Sequence, residues 1–450
     1  MTRLRSLSIA LEKGDIKAAD LAQQALLKAN KSESVFIQLN DEITTQAESV
    51  DEARRRGETL PPLAGIPVTL KDLFNLKGQL TLSGSVVLKR TARPESRDAA
   101  VIAPLRDAGL LFLGRTNMSE FAFSGMGKNH HYGTPLSIWD RKVGHIPGGS
   151  SSGSAVSVAE DIVVATLGSD TAGSCRIPAA FNGIVGVKPS YGRMSLEGIY
   201  PLSPTSDAPG PLARDVDSCF ILDQLMCGQV SPVDPLPELR VRAPASLKLV
   251  IPESKVLNEL DDEVESAFNR AVDRLRDAGV NIRQVKMPVI DASIDLFFNQ
   301  AVVVYEIYHH LRDLLERYGD EFDPLACQRM AAGRDISAED QQARYAAKAS
   351  LVARFNADFN QLEADAIIYP TTACVPPKLS ETEDMESARQ VNMRCLRNTA
   401  TANYYDGCSI SLPCHRTNEA PVGLMVSSMH GEDRALYAVS AAIEAVLKDL

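Results

Sequence analysis

Between Gly148 and Ser174, two clusters of serine and glycine bracket one apolar run. The first reads Gly148-Gly149-Ser150-Ser151-Ser152-Gly153-Ser154, and the second Gly168-Ser169-Asp170-Thr171-Ala172-Gly173-Ser174. The strand-like run Ile162–Leu167 lies between them. Such a layout can set two hydroxyls and several free backbone N–H groups around one point. Acyl transfer needs that set: a nucleophile, a proton relay and an oxyanion hole.

The surrounding pattern supplies a scaffold for it. Val101, Ile102, Leu105 and Ala108 share a helical face with Gly109 as its cap, and Leu110–Leu113 then reads as a buried strand. The phrase Leu-Arg-Asp-Ala-Gly recurs at Leu275–Gly279, before the strand-like Val280-Asn281-Ile282. We read it as common helix-to-strand chemistry rather than an internal repeat. The later helix opens on Asp262-Glu263-Val264-Glu265, a capping-box pattern, with Val264, Phe268, Val272 and Leu275 on one face. Further strand-like runs are Ile66–Leu70, Leu247–Ile251 and Ala366–Tyr369. Helices interleaved with strands predict an α/β fold: a single large domain with a central mixed, mostly parallel twisted sheet covered on both faces by helices. The Pro-rich segment Gln229–Leu247 is read as a surface connection within that domain.

Charge and composition narrow the function. The 450 residues carry a net charge of −11, which argues against nucleic acid or an anionic membrane as partner. Met1–Ala29 has no continuous apolar stretch of the signal-peptide kind, and no run approaches the ~18 apolar residues of a membrane span. A cytoplasmic location is the default expectation. Eight cysteines form no C-x-x-C pair and no zinc-spaced Cys/His cluster, so reduced, mostly buried thiols are expected.

Ser174 closes a tight Gly/Ala-containing turn. There Thr171, Ala172 and Gly173 can aim successive N–H groups inward as an anion-binding nest, although a plain structural turn would read the same way. A serine hydroxyl needs a base. None of the seven histidines sits in a context that marks it as one. Gly149-Ser150-Ser151-Ser152-Gly153 matches the G-x-S-x-G elbow with Ser151 central, but His145-Ile146-Pro147-Gly148 before it is a loop signature and not a strand, so the match is a decoy. A lysine can serve if desolvation brings its pKa down from ~10.4. Lys71, at the end of Gly65-Ile66-Pro67-Val68-Thr69-Leu70, is placed to be carried inward by a strand.

On these residues the chain resembles the amidase signature family of Ser-cisSer-Lys hydrolases. Gly65-Ile66-Pro67-Val68 with Lys71-Asp72 is similar to the family's lysine strand, and Gly114-Arg115-Thr116-Asn117-Met118-Ser119-Glu120-Phe121 to another of its stretches. Both serine clusters, Gly186-Val187-Lys188-Pro189-Ser190-Tyr191-Gly192-Arg193, Asp207-Ala208-Pro209-Gly210-Pro211 and Tyr369-Pro370-Thr371 extend the likeness in order. The resemblance implies Ser174 as nucleophile, Ser150 as relay after a cis Gly149–Ser150 peptide, and Lys71 as ultimate base. It implies Ser151 and Ser169 holding the lysine or relay, supported by Asp170, and N–H groups of Thr171, Ala172, Gly173 and Ser174 forming the oxyanion hole. Arg176 is expected to brace the loop. No metal or organic cofactor is implied. One amidase domain over residues 1–450 is expected, with a catalytic core at 60–230, a more variable substrate half at 231–400 and a return to the core at 401–450. The sequence departs from the family at Ser152, Ala172 and Cys175, and in Asn403-Tyr404-Tyr405-Asp406-Gly407-Cys408, which leaves the pocket shape open.

Pocket candidates are Phe121, Phe123, Ser124, Gly125, Met126, Tyr200 and Cys175, with Tyr305, Tyr404 and Tyr405 behind them. Together they suggest a small, uncharged, aryl-amide or carbamate (urethane) substrate for a stand-alone amidohydrolase. The expected partner is that small amide, and the assembly is left between monomer and homodimer. Two relatives within the resemblance stay as alternatives: a glutamine-dependent tRNA amidotransferase A-type subunit, and an allophanate- or carboxybiuret-type hydrolase. The former usually grips the glutamine carboxylate with an arginine in its second half. By eye that position falls near Val352, with Arg354 close by. A non-catalytic scaffold is disfavoured because Lys71, Ser150 and Ser174 are all present.

Overall fold

The computed structural model describes residues 3–448. Its strands are β1 (Phe36–Leu39), β2 (Pro67–Lys71), β3 (Leu111–Thr116), β4 (Ala165–Asp170), β5 (Val185–Lys188), β6 (Ala208–Ala213), β7 (Lys248–Glu253), β8 (Asn281–Lys286), β9 (Ala366–Pro370), β10 (Cys408–Pro413) and β11 (Gly423–Ser428). All join one sheet in the order β1-β3-β2-β4-β6-β5-β10-β11-β9-β7-β8, flanked by helices. The α/β, single-domain expectation holds, since β6 and β7, on either side of the Pro-rich connection, belong to the same sheet. The chain's last strands return to its middle, where β10 pairs with β5 and β11 with β9.

The sheet is mixed, as expected, but its balance leans antiparallel. The run β4-β6-β5-β10-β11-β9 is antiparallel throughout. Parallel pairs stand on both sides of it, β3-β2-β4 and β9-β7-β8. Apolar periodicity marks where a strand runs and not which way its neighbour points. The parallel majority therefore did not follow from the pattern.

Strands β2, β4 and β9 are buried at every position, and each lies inside the sheet between two neighbours. The strand expected at Ile162–Leu167 starts later. The helix Ser152–Ala159 fills the space after the first serine cluster, and the N–H groups of Ile162 and Val163 both turn back to the Ser157 carbonyl (3.0 and 3.3 Å). They close that helix, so β4 begins at Ala165 and carries Gly168, Ser169 and Asp170 within it. The helix Asp262–Asp277 forms as its periodicity predicts, burying Val264, Phe268, Val272 and Leu275, but without a side-chain cap. The residue in the cap position, Asp261, accepts instead from the Val375 N–H (3.0 Å) and Arg394 (2.6 Å). Tertiary partners have outcompeted the local motif. Among the described residues no helix is long and apolar enough to cross a membrane.

Candidate active site

Lys71 is the last residue of β2 and is fully buried. Its Nζ donates to Ser150 Oγ at 2.7 Å and to Ser169 Oγ at 2.9 Å. β4 runs parallel beside β2, which brings Ser169 alongside the lysine. Burial lowers the Lys71 pKa to about 8, against the upward pull of Cys175, Asp207 and Asp170. The Gly149–Ser150 peptide is cis, and the Ser150 carbonyl accepts the Ser119 N–H (3.2 Å).

Ser174 is 5 % exposed. The turn before it is organised by Asp170, at the end of β4. Its carboxylate accepts the Gly173 N–H (2.8 Å) and the Cys175 N–H (3.1 Å), and Arg176 grips both oxygens (3.0 and 2.9 Å). Burial pushes the Asp170 carboxyl up, but the Arg176 charge and hydrogen bonds outweigh it and hold the pKa at about 2. One expected oxyanion donor is thereby corrected: the Gly173 N–H is engaged by Asp170. The Thr171, Ala172 and Ser174 N–H groups have no acceptor among the described residues. Gly173 has φ +130°, and a Cβ there would lie 2.1 Å from Thr399 Oγ1. The Thr399 hydroxyl itself donates to the Ala172 carbonyl (2.7 Å).

Arg176, fully buried, also donates to the Thr399 carbonyl and to Asn403 Oδ1. It braces the loop from inside. Ser151 acts on the backbone: its N–H donates to the Ser174 carbonyl (3.2 Å) and its hydroxyl to the Ser169 carbonyl (3.4 Å). It precedes the helix Ser152–Ala159 with no strand before it, as a decoy elbow should.

The pocket candidates divide. Phe123, Ser124 and Met126 line a cavity of ≈ 420 Å³, together with Ser119, Glu120 and Arg329. Ser119 links this cavity to the Ser150 peptide, and the Gly125 carbonyl accepts the Gly149 N–H (2.8 Å). Lys71, Ser150 and Ser174 are not themselves part of the cavity wall. Gly125 sits behind it, its N–H on Asn392 Oδ1 (2.8 Å) and its missing Cβ against Leu396 and Ile177. Phe121 stacks on Phe322 and tilts against Tyr200 in the core. Cys175 is fully buried, with burial pushing its thiol pKa up. Tyr404 packs on Phe297 and Tyr405 stacks on Phe355 at 3.7 Å. Aromatic residues fill cores more often than pockets, and Phe121, Tyr200, Tyr404 and Tyr405 follow that rule.

Two residues stand out to which the sequence assigned no role. Arg329 lies on the cavity wall with its guanidinium 4.4 Å from the Phe123 ring and donates to the Phe123 carbonyl (2.9 Å). It forms no ion pair with a carboxylate among the described residues, and burial lowers its pKa to about 10. The by-eye register fell near Val352, and Arg354 close by it is exposed on the helix Ala338–Gln361. The second residue is Asp207, whose carboxylate accepts the Thr171 hydroxyl at 2.5 Å. A count of residues along the second half could not find Arg329. The Asp207 contact crosses strands and leaves no local signal. Among the described residues no group of three or more His, Cys, Asp or Glu is placed to hold a metal ion.

The family model described as Amidase matches residues 20–437. A 2-amino-5-chloromuconic acid deaminase of Comamonas testosteroni is 31 % identical over 407 residues, covering 89 % of this chain and 86 % of its own. The A-type subunit of the glutamyl-tRNA(Gln) amidotransferase of Syntrophus aciditrophicus is 32 % identical over 427 residues, covering 89 % of this chain and 87 % of its own. A solved amidase structure superposes with a TM-score of 0.87 at 31 % identity, covering 99 % of this chain and all of that one.

Proposed function

This chain belongs to the amidase family, and from that premise we propose that it hydrolyses the C–N bond of a small amide through an acyl-enzyme on Ser174. Neutral Lys71 accepts a proton from Ser150 as Ser150 takes one from Ser174, and Ser174 Oγ attacks the carbonyl carbon. The tetrahedral oxyanion draws on the unengaged N–H groups of Thr171, Ala172 and Ser174, each such donor contributing ~3 kcal/mol. The proton returns through Ser150 to the leaving nitrogen, the C–N bond breaks, and water then cleaves the ester. The observation that carries this reading is the contact of the buried Lys71 amine with the Ser150 hydroxyl (2.7 Å), with burial bringing the amine's pKa to about 8.

We take the cavity beside the Ser150 peptide as the substrate pocket. Phe123 and Met126 suit an aryl-amide or carbamate body. Arg329 forms no ion pair among the described residues, but it shares the wall with Lys128 and with Glu120, Asp323, Glu383 and Asp384, and Asp323 acts on its charge. We take its guanidinium as the group that would meet a carboxylate on the amide, in place of the uncharged substrate that the pocket residues suggested. The muconic acid in one relative's name is in keeping with that. A partner-dependent glutaminase remains the second reading, because glutamine is itself an amide bearing a carboxylate and another relative belongs to an amidotransferase.

The test is covalent labelling by a fluorophosphonate. The folded chain is expected to be labelled at Ser174, with labelling abolished in Ser174→Ala and slowed by ~10²–10⁴-fold in Lys71→Ala. Labelling at full rate in Lys71→Ala would remove the lysine from the mechanism. Turnover of a carboxylate-bearing amide panel by the lone chain separates the hydrolase from the partner-dependent glutaminase.

A further inference from the structure

Strand β6 starts immediately after a buried carboxylate that no cation contacts among the described residues. Asp207 accepts the Thr171 hydroxyl on Oδ1 at 2.5 Å, and on Oδ2 the N–H groups of Leu202 (2.9 Å) and Ser203 (3.0 Å). Hydrogen bonds alone hold it, and burial raises its pKa to about 6. The loop it belongs to is itself anchored. The hydroxyls of Ser203, Thr205 and Tyr345 all donate to the Glu306 carboxylate, and Lys348 Nζ donates to the Thr205 carbonyl (2.9 Å). On the other side, Thr171 is the first residue of the turn that carries the unengaged N–H groups.

The Thr171 hydroxyl is therefore a strut from an anchored loop to a turn whose next N–H, on Ala172, is also unengaged. Donors at an oxyanion hole act only when held where the charge develops, and a small misplacement costs much of their effect. We propose that Asp207 is a positioning residue for this reaction: through the Thr171 hydroxyl, its carboxylate fixes the turn that presents backbone donors to the acyl oxygen. The proposal rests on the Ser174 acyl-enzyme reading.

Removing Asp207 alone would also free the Leu202 and Ser203 N–H groups, so the decisive variant is Thr171→Val, which keeps shape and deletes only the donor. The readout is fluorophosphonate labelling of Ser174, resolved into binding and inactivation constants, with melting temperature as a fold control. Thr171→Val is expected to lower the inactivation rate by about tenfold or more, with binding unchanged and melting shifted by less than about 3 °C. Thr171→Ser, which restores the hydroxyl, is expected to recover the rate to within about threefold. The double variant Thr171→Val/Asp207→Ala should label no more slowly than Asp207→Ala alone, because Asp207→Ala already removes the acceptor of the Thr171 hydroxyl. Wild-type labelling at Ser174 together with a full rate in Thr171→Val, or losses that multiply in the double variant, would overturn the proposal and leave the acyl-enzyme reading intact. Wild type unlabelled at Ser174 would remove that reading and the proposal with it.

Discussion

Lys71 Nζ stands 2.7 Å from Ser150 Oγ, across the interface between the end of β2 and the first serine cluster. Only the neutral amine can take a proton from that hydroxyl. Burial sets the lysine's pKa at about 8, so the cation dominates below that pH and the free base above it. kcat/KM is expected to rise with pH through about 8 and level off above it, with about a tenth of the enzyme in the competent form at pH 7. The folded-state pKa lies below the ordinary 10.5. The unfolded chain therefore binds more protons between those values, and this group makes stability rise with pH across the same window. A pH–rate profile flat between 6 and 9 would argue against a titrating base there.

Arg329 predicts selectivity. Arg329→Met is expected to lower kcat/KM by about 10- to 100-fold for amides carrying a carboxylate and to change it by less than about threefold for neutral anilides. Steady-state kinetics on matched pairs of substrates measures the difference. Equal losses on both would show that the arginine only supports the Phe123 loop.

The Arg176–Asp170 pair predicts a stability defect that is also a site defect. Both groups are fully buried, so Arg176→Met leaves an unpaired carboxylate under the turn, at a cost of about 3–5 kcal/mol. Asp170 is held at about 2 in the folded chain. Its contribution is present above the ordinary carboxylate pKa and is lost as pH falls toward 2, so the variant should unfold at a higher pH on acidification. Urea denaturation at pH 7 checks the first part and an acid titration by circular dichroism the second.

Gly173→Ala tests the turn itself. The new methyl would meet Thr399 Oγ1 at 2.1 Å from a backbone at φ +130°. The turn must open, breaking the Gly173 N–H bond to Asp170. Labelling of Ser174 is expected to fall by at least about 100-fold. Wild-type labelling rates in a folded Gly173→Ala would show that the turn does not place the oxyanion donors.

The strands at residues 66–70 and 366–369 and the helix at 262–277 were legible because apolar spacing is a local code. Lys71, Ser150, Ser169 and Ser174 were legible as motifs within short stretches. Sheet direction, the start of β4 and the uncapped Asp261 were not, since each depends on which hydrogen-bond partner the folded chain brings to the segment. The same limit explains the pocket. Phe121 and Tyr200 looked like pocket aromatics, and only the packing of Phe121 against Phe322, with Tyr200 on Phe121, sets them against the core.

The sequence by itself determined which groups this protein carries and in what order they come: an amine at the end of one strand, two hydroxyl clusters around another, and small residues where the backbone must turn tightly. The tertiary structure decided what those groups are. Lys71 becomes a candidate base because folding strips water from it and sets it on a hydroxyl 79 residues away. The Gly173 N–H is taken out of the donor set by Asp170, while the Thr171 hydroxyl is fixed by an aspartate 36 residues on. Ionisation and hydrogen-bond pairing depend on burial and on what the fold brings within 3 Å, and neither quantity is written in residue order.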